Sequence, residues 1–206
     1  MTYRAADRAT WNAIFQTVPE GWFTADPSDG MVRCLAFLRQ RPIRRLLDIG
    51  AGIGRWAIYL ARNGVEPIVT LDSAYRGSRV TFEWAWRERL NVRAAAGDAV
   101  AIPFFDFSFD AILAALVLES LDRRDKHTAI AQLRRVTERH ARGFFLFNPV
   151  LTEAEIEALE DSDNPTQTCH IAPCTDDEIT DMLAGWQTIE RGKTEEGFRY
   201  ITAVRM

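Results

Sequence analysis

The chain has 206 residues, a length that suits one large domain burying about 70% of its unfolded surface, with no need of a disulfide or metal staple. Apolar residues make up 47% and the formal net charge is −4. Without a basic footprint, a general nucleic-acid binder is not expected. The three cysteines, Cys34, Cys169 and Cys174, form no C-x-x-C pair, so neither a disulfide framework nor a standard zinc spacing is present and no metal is expected. No run approaches the ~18 apolar residues of a membrane span, and the charged opening MTYRAADRAT lacks a secretory core. A cytoplasmic monomer or homodimer without membrane contact is the expectation.

Trp11 and Phe15 stand four apart and share a helix face, which predicts a helix from about Ala5 to Gln16, ending before Pro19. GWFTADPSDG reads as loop from its Gly, Pro, Asp and Ser content. Ser28 or Asp29 can cap a second helix carrying Met31, Leu35 and Leu38 at i, i+4 and i+7, stopped by Pro42. Leu46 to Gly50 (LLDIG) is a short apolar run with the branching of a buried strand. Three alternating glycines follow, then a helical pattern from Arg55 to Asn63 that closes on Asn63-Gly64.

Glu66 to Leu71 reads as a second strand ended by Asp72, and Ser73 to about Leu90 as a helix. Asn91 to Gly97 leads a third strand into Asp98, and AILAALVL, after a turn-rich approach, is a fourth. Asp125 to Arg139 is amphipathic, with Ile130, Leu133 and Val136 inward and His127 and His140 outward. Gly143 to Phe147 is apolar throughout, as a central parallel strand should be. From 151 to about 174 the character changes to an acidic insert, with six acids and no Lys or Arg between 152 and 163. Thr175 with Glu178 forms a capping box for a helix ending at Ala184-Gly185. Strands over about 186–191 and 198–205, joined by GKTEEG, make an antiparallel hairpin. Five strand–helix alternations imply an α/β fold: a mostly parallel sheet with helices on both faces and one antiparallel addition at the end.

A strand, a glycine turn and a helix N-terminus make a nucleotide site, because the helix start offers free N–H groups and partial positive charge. The dinucleotide fingerprint fits Gly52, Gly54 and Ala57 only by leaving Gly50 unused. The register acidic-x-G-x-G-x-G, from Asp48 through Gly50 and Gly52 to Gly54, uses every unusual residue. In that register the stretch resembles motif I of the class I S-adenosylmethionine-dependent methyltransferases. Asp72, 18 residues after Gly54, suits a nucleoside's ribose hydroxyls whichever cofactor is bound. The phrase Asp98-Ala99-x-x-x-Pro103-Phe104-x-Asp106-x-Ser108-Phe109-Asp110 is similar to a second signature of the same family, with Ile102 where leucine is usual.

The resemblance covers roughly residues 44–206 and implies a Rossmann-like seven-stranded core, with residues 1–43 as a helical cap or lid and the acidic insert on the substrate side. It implies S-adenosyl-L-methionine as cofactor. The glycine turn (Asp48, Gly50, Ala51, Gly52, Gly54) would then bind it with Asp72 and Ser73, with Asp98 and Ala99 at the adenine, and with Ala114 and Ala115 beside the methionine part. Trp11, Trp22 and Pro27 weakly resemble the spacing in thiopurine and tellurite-resistance methyltransferases. On the substrate side stand Trp11, Phe15, Trp22, Glu119, Asn148 and His170, with His170 and Glu119 as the candidates for a proton-handling role. The implied reaction is in-line methyl transfer to a small molecule, with a protein methyltransferase and a cofactor-binding regulator without turnover as alternatives.

Overall fold

The computed structural model of the chain describes residues 8–18, 21–150 and 174–206. Three helices precede the first strand: α1 (Arg8–Ile14), α2 (Gly21–Thr24) and α3 (Asp29–Leu38). Then follow β1 (Leu46–Ile49), α4 (Arg55–Arg62), β2 (Ile68–Asp72), α5 (Tyr75–Glu88), β3 (Val92–Ala96) and β4 (Phe109–Ala115). A 3-10 turn at Leu118–Ser120 leads to α6 (Arg123–Val136) and β5 (Thr137–Phe147). The chain closes with α7 (Asp176–Met182), β6 (Trp186–Lys193) and β7 (Arg199–Arg205).

The seven strands form one sheet in the order β3-β2-β1-β4-β5-β7-β6. The first five run parallel, and the hairpin pairs β7 antiparallel to both β5 and β6. The expected α/β architecture is present. Leu46 and Leu47 are both fully buried, yet they belong to different core clusters, as side chains of a strand covered on both faces must. One cluster joins Leu46, Ala111, Leu113 and Phe144 to α3, α4 and α5; the other joins Leu47, Ile112, Phe145 and Phe147 to α6 and α7. Among the described residues no helix is long and apolar enough to cross a membrane.

Helix starts follow their caps. Ser28 accepts from the Met31 N–H, Asp122 from Asp125, and Thr175 forms the expected capping box with Glu178. Three local expectations are corrected. Residues 21–24, expected as loop, make one helical turn whose Phe23 packs edge-on against Trp84, a contact composition cannot show. The fourth strand starts at Phe109 and ends at Ala115, because Leu116 turns to φ +59° and the apolar run continues as the 3-10 turn. α6 stops at Val136 rather than Arg139: the Thr137 hydroxyl donates to the Leu133 carbonyl, and Thr137 already pairs with Phe109. β5 therefore has eleven residues, and His140 lies exposed on it rather than on the helix.

Leu113 is fully buried in β4, between β1 and β5. Leu113→Ala is expected to cost about 2–5 kcal/mol, read from the urea midpoint of unfolding.

Candidate functional site

The chain runs from β1 to β2 on one side and returns to β4 on the other, so a crevice opens beyond the carboxyl end of β1. Open α/β sheets bind ligands at such a reversal of strand order. The turn filling it has Gly50 at φ +64° and Gly52 at φ +56°. A Cβ on Gly50 would lie 2.3 Å from the Val117 side chain, so a side chain here meets both strain and collision. α5 comes equally close: a Cβ on Gly77 would stand 2.6 Å from the Gly52 carbonyl oxygen.

Asp72, at the end of β2, holds this turn. Its Oδ2 accepts from the Gly52 N–H at 2.7 Å and its Oδ1 from the Ala74 N–H at 2.7 Å. Burial pushes its carboxyl up, and those two N–H groups pull it partly back. Behind the turn, Asp48 is 2% exposed, and its Oδ2 has no hydrogen-bond partner. Burial, aided by the charge of Asp72, pushes the Asp48 carboxyl well above its ordinary range. An orphaned oxygen in a packed core is uncommon, because buried polar groups are nearly always hydrogen-bonded.

The crevice is a cavity of about 410 Å³, within the size range of small-molecule sites. Its wall carries the glycine turn, Asp72, Ser73, Asp98 and Ala99, together with the aromatic rings of Trp11, Phe15, Trp22 and Trp56. Trp11 and Phe15 stack with ring centroids 5.4 Å apart, and the Phe15 ring is the nearest neighbour of a Cβ built on Gly52, at 3.2 Å. Arg55, the first residue of α4, also lines the cavity, and burial lowers its pKa. Asp98 is partly exposed and lies 3.5 Å from Arg8.

Residues 46–140 match a family model described as a methyltransferase domain. A demethylmenaquinone methyltransferase from Renibacterium salmoninarum is 31% identical over 145 residues, an alignment covering 64% of this chain and 58% of that protein. The chain thus spans under two thirds of that relative's length. Among solved structures, an S-adenosylmethionine-dependent methyltransferase from Aquifex aeolicus superimposes with a TM-score of 0.70 at 15% identity, covering 98% of this chain and 100% of that one. The N-methyltransferase NodS from Bradyrhizobium japonicum, in complex with S-adenosyl-L-homocysteine, gives 0.71 at 17% identity, covering 95% and 98%. These two likenesses show the fold.

The matched segment is 95 of the 206 residues, and the fold is the one these S-adenosylmethionine-dependent methyltransferases share.

Of the residues singled out from sequence, Gly50, Ala51, Gly52, Asp72, Ser73, Asp98, Ala99 and Ala115 line one cavity, together with Trp11, Phe15 and Trp22. Asp48, Gly54 and Ala114 stand behind its wall, all buried. Glu119 and Asn148 do not line it; they are buried and bonded to each other. His170 lies outside the described residues, as does the acidic insert up to residue 173. Sequence reasoning missed Arg55, Trp56, Val117, Ser120 and Leu121, all on the cavity wall. Arg55 and Trp56 could have been found, because they follow the glycine turn at the start of its helix. The residues from Val117 onward were hidden by their apolar character, which reads as more strand.

Burial raises the Asp48 carboxyl above the 3.8 of an unperturbed aspartate, so the folded chain keeps this proton to higher pH than the unfolded chain does. Its stabilising contribution is therefore complete below that value and is lost as pH rises through the folded pKa. Asp48→Asn carries no charge at any pH. Between about pH 4 and pH 8 the thermal midpoint of the ligand-free variant should fall less than that of the wild type; an equal fall would show that Asp48 does not keep its proton.

Proposed function

We propose that the chain transfers a methyl group from S-adenosyl-L-methionine to a small, apolar, aromatic acceptor by in-line displacement. The observation that carries this reading is one cavity whose wall combines two carboxylates and a glycine turn with three tryptophans. The curated relative named for demethylmenaquinone supports an aromatic acceptor.

The residues present fit the cofactor. Asp72 would accept from the ribose hydroxyls, and the Asp98 carboxylate from the adenine amino group, with the Ala99 N–H toward a ring nitrogen. The positive start of α4 and the Arg55 guanidinium would meet the carboxylate of the methionine part. The orphaned Asp48 oxygen, behind the turn, is an unused hydrogen-bond acceptor at that same end. When bound, the cofactor supplies a methyl already made electrophilic by its sulfonium, so the protein needs no nucleophile of its own.

What remains for the protein is orientation and exclusion of water. Trp11, Trp22 and Trp56 offer flat apolar faces on which an aromatic acceptor can stack, with ring contacts worth about 0.5–1.5 kcal/mol each. Holding the acceptor atom in line with the methyl can supply about 7–11 kcal/mol of the barrier. In this reading the helices before β1 act as the cap over the cavity.

Calorimetry with S-adenosylmethionine, S-adenosylhomocysteine and NAD tests the cofactor; uptake of NAD alone would overturn the reading. A labelled-methyl assay follows, with naphthohydroquinone and thionaphthol against a cell protein fraction; label in the protein fraction alone would replace the small acceptor by a macromolecule. Asp72→Ala removes charged hydrogen bonds worth about 1.5–3 kcal/mol, so S-adenosylmethionine should bind about 10- to 150-fold more weakly. Arg55→Met should weaken S-adenosylmethionine yet leave methylthioadenosine, which lacks the carboxylate, unaffected. Equal losses for the two ligands would remove Arg55 from that role.

A further inference from the structure

The turn after β4 faces two ways. Val117, Ser120 and Leu121 line the cavity, and Val117 occupies the space a side chain on Gly50 would need. Glu119, between them, points away and is 3% exposed. Its Oε2 accepts from the Asn148 backbone N–H at 2.6 Å and from the Asn148 side-chain amide at 3.0 Å. Its Oε1 accepts from the Cys174 N–H at 3.1 Å and lies 3.6 Å from Arg199 Nη2. Arg199 in turn donates to the carbonyls of Asn148, at 2.8 Å, and of Cys174, at 2.6 Å, and pairs with Asp176 at 2.9 Å. One carboxylate and one guanidinium thus bind both the N–H and the C=O of residues 148 and 174.

The turn itself is strained. Leu116 holds φ +59°, a conformation a bulky residue keeps only where its surroundings impose it. Its N–H donates to the Leu146 carbonyl, and the Ser120 hydroxyl donates to the Leu116 carbonyl. Those bonds tie the turn to itself and to β5. The ties to residue 174, and through Arg199 to β7, run through Glu119.

We infer that Glu119 is a positioning residue. The Glu119–Arg199 clasp sets how the 117–121 wall stands over the glycine turn, and so where an acceptor lies relative to the methyl group. The nucleoside end, assigned to Asp72 and Asp98, lies across β1 and is left unchanged. This inference rests on the methyl-transfer reading of the cavity. Burial pushes the Glu119 carboxyl up, while the Asn148 and Cys174 N–H groups and the cations Arg199 and Lys126 pull it back. A glutamine in its place has one acceptor oxygen, so a donor would face a donor at Asn148 or at Cys174, and Arg199 would lose its buried counter-charge.

The test compares Glu119→Gln and Glu119→Asp with the wild type in three measurements. These are S-adenosylhomocysteine affinity by calorimetry, kcat and KM for methyl transfer to naphthohydroquinone, and amide exchange over 116–121 with S-adenosylhomocysteine bound. For Glu119→Gln the expected results are an affinity within about twofold of wild type, faster exchange over 116–121, and a kcat lower by up to about 100-fold, the effect of a misplacement near 1 Å. Glu119→Asp, which keeps the charge, should recover part of the rate. Unchanged exchange and kcat would overturn the clasp, and so would an affinity that falls in step with the rate. If the wild type methylates no acceptor, the methyl-transfer reading fails, and the exchange measurement alone decides the clasp. Should Glu119→Gln not fold, Arg199→Lys, which keeps the charge but not the paired reach to both carbonyls, takes its place with the same readouts.

Discussion

The Asp72 carboxylate receives one N–H from the glycine turn and one from the turn that opens α5. The first bond joins the end of β2 to the turn after β1 across the crevice, the second shapes the turn after β2 itself, and most of the site's geometry follows from them. They need Gly52 in a left-handed conformation, which presents its N–H to the carboxylate while its carbonyl oxygen faces the bare Gly77 of α5. An ionised carboxylate with two backbone donors is a stable anchor, but burial raises its proton affinity. Asp48, close by and also pushed up, is buried behind the same turn.

The sheet makes this arrangement affordable. β1 and β4 are buried on both faces, with Leu46, Leu47, Ile112 and Leu113 fully enclosed, so the strand ends are rigid where the turns leave them. Three turns, after β1, β2 and β4, converge at the point where the chain's winding reverses. The aromatic wall comes from outside the sheet: Trp11 and Phe15 stack over the glycine turn from α1 and the residue just beyond it. The parts of the wall therefore have different origins: the carboxylates follow the sheet's strands, Trp11, Phe15 and Trp22 come from the segment before β1, and Trp56 from α4.

Much of this was legible in residue order. Gly50 and Gly52 of the glycine turn, the acid ending the second strand and Asp98 after the third all occupy the crevice that their spacing implied. The boundary errors have one cause. Val117 and Leu118 are as apolar as the strand before them, and only the backbone at Leu116 shows that the chain has turned. Likewise Thr137 ends α6 early because Phe109, distant in sequence, is there to pair with it. Glu119 offered no sequence signal for its partners, since Asn148, Cys174 and Arg199 are 29, 55 and 80 positions away.

By itself the sequence determined the alternation of strands and helices, the glycine turn and the acids that follow it, because periodicity, turn chemistry and short motifs act over a few residues. Only the tertiary structure decided which side chains share the cavity, that Arg55 and the tryptophans face it, and that Glu119 is committed to Arg199 and Asn148 instead. Those outcomes depend on burial and on hydrogen bonds between distant segments, and no local pattern encodes the energy of a contact whose partner lies on another strand.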